Sequence, residues 1–256
     1  MYRSRKIVVL TVFCVSVLGT VTGSAEGTYK KGKGFLENGM WEQALKIWWQ
    51  GYTDLKRDGM IDPRLGIAFI ECATENEANQ YYSTGSEMYM WGFSGASPKH
   101  PEAVTEEAKR VMVLLPQAKK ETWEKLIDNN DPGLWRYIRR FWLERDPRPV
   151  TPANERLVEH WLRIAVARKT FDRNTLGVYD CDDRGTVYVQ YGEPDKKKNG
   201  MFGASAVSMG EITRWFDVGK SMDIRMYNPQ PEYEVWGYNN IGTKETSIFL
   251  FSAREG

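Results

Sequence analysis

The side chains best suited to chemistry are carboxylates that surround two predicted turns in the second half of the chain. They are Asp180, Asp182, Asp183, Glu193 and Asp195. Paired carboxylates can serve as general acid and general base, and carboxylate oxygens can also ligate Ca²⁺. Asp and Glu are also common in turns for conformational reasons, and the spacing lacks the twelve-residue calcium-loop pattern. The pattern favours turn chemistry, with acid–base catalysis as the alternative.

Other reactive groups are sparse. His100 and His160 are the only two histidines and the chain has no CxxC pair, so neither a zinc site nor any other metal or cofactor is predicted. No nucleophile elbow or phosphate-binding loop occurs. Cys72 and Cys181 could pair in an oxidising compartment. They lie in different predicted domains, which favours two free or buried thiols.

Two arginines lie in segments rich in polar side chains. Arg145 adjoins Asp146, and Arg184 precedes a predicted strand. A guanidinium group can bridge carboxylates and carbonyls where helix meets sheet. We therefore expect Arg184 to tie its turn to the helical layer through Asp146, Asn154 or Glu155.

The first 25 residues have the pattern of a cleavable secretory signal. Arg3, Arg5 and Lys6 precede the apolar run 7–21, and the small residues 23–25 follow it. A membrane span needs about 20 apolar residues, and this run is shorter and interrupted. We predict cleavage after Ala25, an extracytoplasmic location (periplasmic or secreted) and no transmembrane span in the mature chain.

Loss of this leader leaves the chain close to neutral. It removes three of the 35 basic residues and none of the 34 acidic ones, so the formal net charge becomes −2. Nucleic-acid-binding proteins concentrate Lys and Arg on one face, so no nucleic-acid partner is predicted. The lysine run 196–198 is predicted to be a solvated turn.

Residues 26–99 are predicted to be helical. Within 32–51, small residues alternate with aromatic ones at a spacing that resembles one tetratricopeptide unit. The small residues are Gly32, Ala44 and Gly51, and the aromatic ones are Phe35, Trp41 and Trp48. Small residues let two helices approach closely while large rings fill the gaps beside them. Stacked repeats usually number three or more, so an ordinary helical hairpin is an equal alternative.

The segment 94–103, with small residues and two prolines, marks the predicted boundary between this region and a second domain, 100–256. Helices are predicted over 103–115, 116–128, 132–144 and 153–171, from apolar spacing and from starts that carry Pro or a capping residue. Strands are predicted over 186–191, 233–238 and 247–252. An insert, 196–232, carries a possible short helix near 210–218. The fold class is therefore α+β.

Three segments of this second domain resemble a bacterial family, the GWxTD-domain proteins. They are FWLERDPRPVTPANE (141–155), DDRGTVYVQYGEPD (182–195) and YEVWGY (233–238). The resemblance covers roughly 120–252 and its specificity comes from the order of the motifs. The chain departs from the family where Gly-Trp-x-Thr-Asp is expected, since residues 177–183 read GVYDCDD.

The resemblance implies an exported or envelope-associated protein and supplies no catalytic residues, because the family has no assigned reaction. It does indicate which side chains to expect in a binding or structural role. These are Arg145, Asp146, Asn154, Glu155, Asp183, Arg184, Tyr191, Glu193, Asp195 and Trp236.

The sequence thus favours an exported, non-enzymatic protein of the bacterial envelope, an interaction or assembly module whose helical half offers a groove to a protein partner. The alternative is an envelope hydrolase that acts on peptide or glycan through the turn carboxylates. Convergence of those carboxylates in a deep cleft would favour the hydrolase. Their dispersal around arginines would favour the module.

Overall fold

The computed structural model describes residues 25–96, 99–201, 232–239, 241 and 246–252. These residues form nine α-helices followed by a small antiparallel sheet, so the predicted α+β class is confirmed. Residues 1–24 of the predicted leader and the possible short helix near 210–218 lie outside the described residues. Along the described part of the chain, no helix combines the length and apolarity needed to cross a membrane.

The first four helices occupy the region predicted to be helical. They are α1 (Ala25–Glu37), α2 (Trp41–Arg57), α3 (Pro63–Glu75) and α4 (Tyr82–Gly92). The start of α3 is fixed locally, because the Asp62 side chain accepts a hydrogen bond from the backbone N–H of Arg64 at 3.0 Å and Pro63 occupies the first turn.

Close contact between α1 and α2 depends on the predicted small residues. A Cβ at Gly32 would overlap the Trp48 indole, and one at Gly51 would overlap Thr28. Trp48 is fully buried and its indole N–H donates to the Tyr29 carbonyl at 3.2 Å. The packing reason given for these residues is confirmed, and the tetratricopeptide assignment stays a prediction.

The next four helices agree with the sequence patterns to within a few residues. They are α5 (Pro101–Val113), α6 (Gln117–Asp128), α7 (Leu134–Leu143) and α8 (Glu155–Thr170). One buried cluster joins them to the first region, since Ile70, Tyr89 and Phe93 share it with Trp142 and Trp161. A second cluster lies among α2, α3 and α4 around Trp48 and Phe69. The larger core therefore continues across the predicted boundary.

The predicted strand 186–191 is wrong, because these residues belong to helix α9 (Asp183–Tyr191). The Asp182 side chain caps the helix by accepting from the backbone N–H of Gly185 at 3.0 Å. Gly185 and Val189, four residues apart, are the buried positions. A Cβ at Gly185 would overlap the Cys181 side chain, so helical contact with this neighbour overrides the β propensity of the alternating Val and Tyr residues.

The sheet has the order β1 (Lys196–Met201), β2 (Glu232–Tyr238) and β3 (Ser247–Ser252). The predicted strands 233–238 and 247–252 are confirmed as β2 and β3. The lysine run 196–198 was predicted to be a turn and instead begins β1, pairing Lys197 with Trp236. Its lysines remain exposed, as is common on an edge strand. Trp236 lies against Phe171 with ring centroids 5.5 Å apart, which holds the sheet on the end of α8.

Candidate binding cleft

A cleft of about 410 Å³ lies between α4, α7 and the connector that joins α7 to α8. The α4 wall carries Ser86, Glu87, Met90 and Trp91, with Ser94 just beyond the helix. The facing wall consists of Arg139 and Leu143 on α7, then Asp146, Pro149, Thr151, Pro152 and Asn154 on the connector. Several of these residues are exposed, among them Glu87, Leu143, Pro149 and Pro152, so the cleft is open at its rim.

Asn154 fixes the connector wall from three directions. Its side-chain oxygen accepts from the backbone N–H of Leu157 at 2.9 Å and so caps α8, while its amide donates to the Trp142 carbonyl at 2.8 Å. Its backbone N–H donates to the Ser86 hydroxyl of α4 at 2.9 Å. Asn154 is only 5% exposed, so these bonds hold the two walls in a defined relation.

The rest of the connector is a series of local turns. Asp146 accepts from the backbone N–H of Arg148 at 3.0 Å, and the Thr151 hydroxyl donates to Glu155 at 2.9 Å. This bond from Thr151 lowers the pKa of Glu155. Two predicted site residues, Asp146 and Asn154, therefore line the cleft, and Glu155 supports it from behind.

Only some of the charged side chains in the cleft have an ion-pair partner among the described residues. Glu87 accepts from the Tyr52 hydroxyl at 2.7 Å and pairs with Lys56 at 2.9 Å, and these two contacts lower its pKa. Arg139 donates to the Met90 carbonyl at 2.6 Å and has no carboxylate within ion-pair distance among the described residues. The cleft thus contains one paired carboxylate, Glu87, one carboxylate without an ion pair, Asp146, and one cation, Arg139, that lacks a described counter-charge.

Arg145 has no carboxylate within ion-pair distance in the described part of the chain and contacts a ring and a carbonyl instead. Its guanidinium stacks over the Phe141 ring at 3.9 Å and donates to the Phe141 carbonyl at 3.3 Å. Partial burial lowers its pKa, which Glu144 opposes. Arg145 therefore covers the end of α7 and lies apart from the cleft lining.

Arg184 links helix to sheet, but its expected partners are wrong. It contacts Asp182 at 2.6 Å, Asp172 at 2.8 Å and Glu234 at 3.4 Å, whereas Asp146, Asn154 and Glu155 lie at the cleft. The bond to Asp182 is the main reason that its pKa is raised. The guanidinium joins Asp172 in the loop after α8, the Asp182 cap of α9 and Glu234 of strand β2.

The remaining predicted residues lie on α9, on the sheet or in the turn between them, the region that contains the Arg184 ion pairs. The Trp236 indole is buried and donates to Glu234 at 2.8 Å. The Tyr191 ring contacts Tyr238 with centroids 5.6 Å apart. Asp195 accepts from the backbone N–H of Asn239 at 2.6 Å, whereas Asp183 and Glu193 are exposed. The predicted set thus divides between two places in the fold.

An ion cluster around Arg168 was not predicted from the sequence. This guanidinium contacts Glu71 at 2.7 Å, Glu75 at 2.8 Å and Asp180 at 3.1 Å, and it donates to the Tyr179 carbonyl at 3.1 Å. The spacing of Glu71 and Glu75, four residues apart on α3, places both on one helix face and was the available signal. Arg168 joins α3 to α8 and to the loop before α9.

A buried polar chain was also missed. Trp142 donates to the Tyr89 hydroxyl at 3.0 Å, Tyr89 donates to Glu107 at 2.6 Å, and Arg110 pairs with Glu107 at 2.9 Å. Glu107 has no exposed surface. Because each member has a partner, the chain ties α4, α5 and α7 together without leaving Glu107 as an unpaired buried charge.

His160 lies next to this chain and is fully buried. Its ring contacts those of Trp142, Tyr179 and Trp161 at centroid distances of 5.2, 5.7 and 6.2 Å. Neither ring nitrogen has a hydrogen-bond partner in the described structure. Burial, reinforced by Arg156, Arg110 and Arg163, holds its pKa well below the ordinary value. Its surroundings fit the structural role expected of it.

Cys72 and Cys181 are both free and buried. Burial raises the pKa of the Cys72 thiol to about 12 and that of Cys181 to about 11, so both are held in the neutral form. No group of three or more His, Cys, Asp or Glu side chains gathers as a metal site would require, within the ranges that the structure covers.

Comparison with known proteins gives no further guide. No protein-family model, curated protein or solved structure matches this chain.

Proposed function

We propose that the protein is an exported, non-enzymatic module of the bacterial envelope that holds a segment of a partner protein in the cleft between α4 and the α7–α8 connector. The observation that best supports this proposal is that the cleft has an open rim and walls that the hydrogen bonds of Asn154 hold in place. A pre-organised site loses less conformational freedom on binding, which favours affinity. The GWxTD resemblance and the tetratricopeptide-like packing of α1 and α2 belong to the same proposal.

The lining suits a polypeptide. Met90, Trp91 and Leu143 offer apolar contact, and Trp91 is braced edge-to-face by Tyr52 with ring centroids 4.9 Å apart. Aromatic residues, Met and Arg are enriched where proteins recognise one another. The connector adds Pro149 and Pro152, which present apolar rings on a stiff backbone.

The positions of the turn carboxylates argue against the hydrolase. Asp180 pairs with Arg168, Asp182 caps α9 and pairs with Arg184, and Asp195 accepts a backbone N–H. They are dispersed around arginines and backbone donors and none of them lines the cleft. This dispersal supports the interaction module.

Site-specific photo-cross-linking in the native cell tests the proposal. A benzophenone side chain at Leu143, which lines the cleft and is 50% exposed, should give a discrete cross-linked product with an envelope protein. Leu176 is the matched control, since it is 95% exposed and lies on the loop after α8. The same product from both positions, or none from Leu143, would contradict the proposal.

Export is tested separately. The protein recovered from the native host should begin at Glu26 and fractionate outside the cytoplasm. Recovery of an intact Met1 would refute export by cleavage, whatever the outcome of cross-linking.

A further inference from the structure

The positive charge of Arg139 restricts which ligands the cleft can bind. Arg139 is half-buried, and within the described residues its one hydrogen bond goes to the Met90 carbonyl, 49 positions away in sequence. A guanidinium has five N–H donors. Most of its donors are therefore available on the cleft side of α7.

An occupant of the cleft would cover Arg139. A charged side chain that becomes buried without a counter-charge weakens binding strongly. The carboxylates already in the cleft do not remove this cost, because Glu87 is engaged by Lys56 and Tyr52. The second carboxylate of the cleft, Asp146, makes no ion pair in the described part of the chain and accepts a hydrogen bond from a backbone N–H. Since no described carboxylate pairs with Arg139, we assign the counter-charge to the partner.

Asp146 limits how much negative charge the partner can bring, because no described cation pairs with it. A phosphate group or an acidic run would be repelled by this carboxylate. A single carboxylate satisfies Arg139, and a peptide N–H of the occupant can donate to Asp146. The apolar wall of Met90, Trp91 and Leu143 then suits the neighbouring side chains. Because the rim is open, the partner chain can continue in both directions.

Resting on the proposed function, we infer that the cleft recognises an extended internal segment of a partner protein in which one Asp or Glu, bound by Arg139, is flanked by apolar residues. Charge complementarity at Arg139 and the apolar contacts around it specify this class of ligand.

The test uses the purified exported protein and two mixtures of nine-residue peptides with acetylated and amidated ends. Both have Leu, Val, Ala or Phe at the flanking positions, and they differ only in a central Glu or Gln. By fluorescence anisotropy the Glu mixture should bind about tenfold more tightly, as expected of a charge-assisted hydrogen bond. A third mixture, with central Gln and a free terminal carboxylate, separates internal from terminal recognition and should bind like the Gln mixture.

Variants assign the preference to one side chain. Arg139→Gln, whose amide can still donate to the Met90 carbonyl, should bind both mixtures alike. Arg139→Glu should prefer a mixture with central Lys. Arg136→Gln is the matched control, since Arg136 is an exposed residue of α7 that stacks on Trp135 and is absent from the cleft lining, and it should keep the tenfold preference.

Equal binding of the Glu and Gln mixtures by the unaltered protein would overturn the inference and leave the docking function in place. Failure of every mixture, with a cross-linked product still formed at Leu143, would overturn it in the same way. Loss of both peptide binding and the Leu143 product would overturn the proposed function as well. Tighter binding of the free-carboxylate mixture would show that the cleft reads chain ends instead.

Discussion

Arg168 and Glu71, which lie 97 positions apart in sequence, meet at 2.7 Å and join α8 to α3. The Arg168 side chain is only 18% exposed and also holds Glu75 and Asp180. Asp180 has a positive φ of 58°, a conformation that is costly for a residue other than Gly. The Arg168 guanidinium thus holds the strained loop residue Asp180 and also binds α3.

Replacement of Arg168 should be strongly destabilising. Arg168→Ala leaves Glu71 and Glu75 close together and partly buried without their cation, which should lower the free energy of unfolding by about 3 kcal/mol. Arg168→Lys should recover only part, because an ammonium group cannot reproduce the fork of the guanidinium. Urea unfolding measures both. Lys169→Ala is the control: its pair with Glu77 joins side chains that are 54% and 80% exposed, and its loss should cost under about 0.5 kcal/mol.

His160 should make stability fall in mild acid. Its pKa is lowered in the folded state, so the unfolded chain takes up a proton as the pH falls below about 6.5 while the folded protein does not. Stability is complete above that pH and should decline below it by up to about 1.4 kcal/mol per pH unit. Glu75, whose pKa is raised by burial, changes stability in the opposite direction, so the wild type alone does not isolate His160.

Comparison with His160→Met isolates the histidine. Urea unfolding at pH 7.5 and pH 5.0 should show a larger loss for the wild type than for this variant, which cannot take up the proton. Equal losses would show that His160 is protonated as readily in the folded protein as in the unfolded chain.

Local signals accounted for most of the helical architecture. Asp62 with Pro63 marks the start of α3 over a few residues, so it could be recognised without knowledge of the fold, whereas the helix predicted to begin at residue 153 begins at Glu155 after the Asn154 cap. The small and aromatic residues of α1 and α2 likewise show their packing in their spacing. The strand prediction at 186–191 failed although the features that override it are also local: Asp182 caps the helix through Gly185, and Gly185 packs on Cys181, four residues earlier. The alternation of β-branched and aromatic residues is only a preference and was given more weight than this cap.

The sites were less accessible because they depend on distant pairs. Once 186–191 was misread as a strand, the orientation of Arg184 and its partners could not be inferred. The cleft depends on the contact of Asn154 with Ser86, 68 positions away, and on that of Arg139 with Met90. Motif resemblance did select Asp146 and Asn154 in one wall, but nothing in the sequence identified the α4 wall opposite them.

Two glycines should respond oppositely to alanine. A Cβ at Gly66 would lie 2.5 Å from the Met88 carbonyl oxygen and 2.6 Å from the Tyr89 Cα, so α3 and α4 must separate to accommodate it. Gly66→Ala should cost about 1–3 kcal/mol of stability by overpacking. Gly34, within α1, has nothing within 4 Å of that position, and Gly34→Ala should add up to about 1 kcal/mol through helix propensity. Thermal unfolding of the pair checks both signs, and a neutral Gly66→Ala would mean that the α3–α4 contact is looser than described.

Arg184 should stabilise the junction of α8, α9 and the sheet. Its side chain is 30% exposed and contacts Asp182, Asp172 and Glu234, so Arg184→Ala should lower the free energy of unfolding by about 2 kcal/mol. Arg184→Lys should keep part of this, since Lys can serve one carboxylate at a time. Arg173→Ala, at a nearby exposed position, should leave the thermal midpoint within experimental error. A double-mutant cycle with Glu234→Gln isolates the contact between Arg184 and the sheet. A coupling energy near zero, together with an unchanged thermal midpoint for Arg184→Ala, would refute the structural role. Binding would then be the better explanation for this residue.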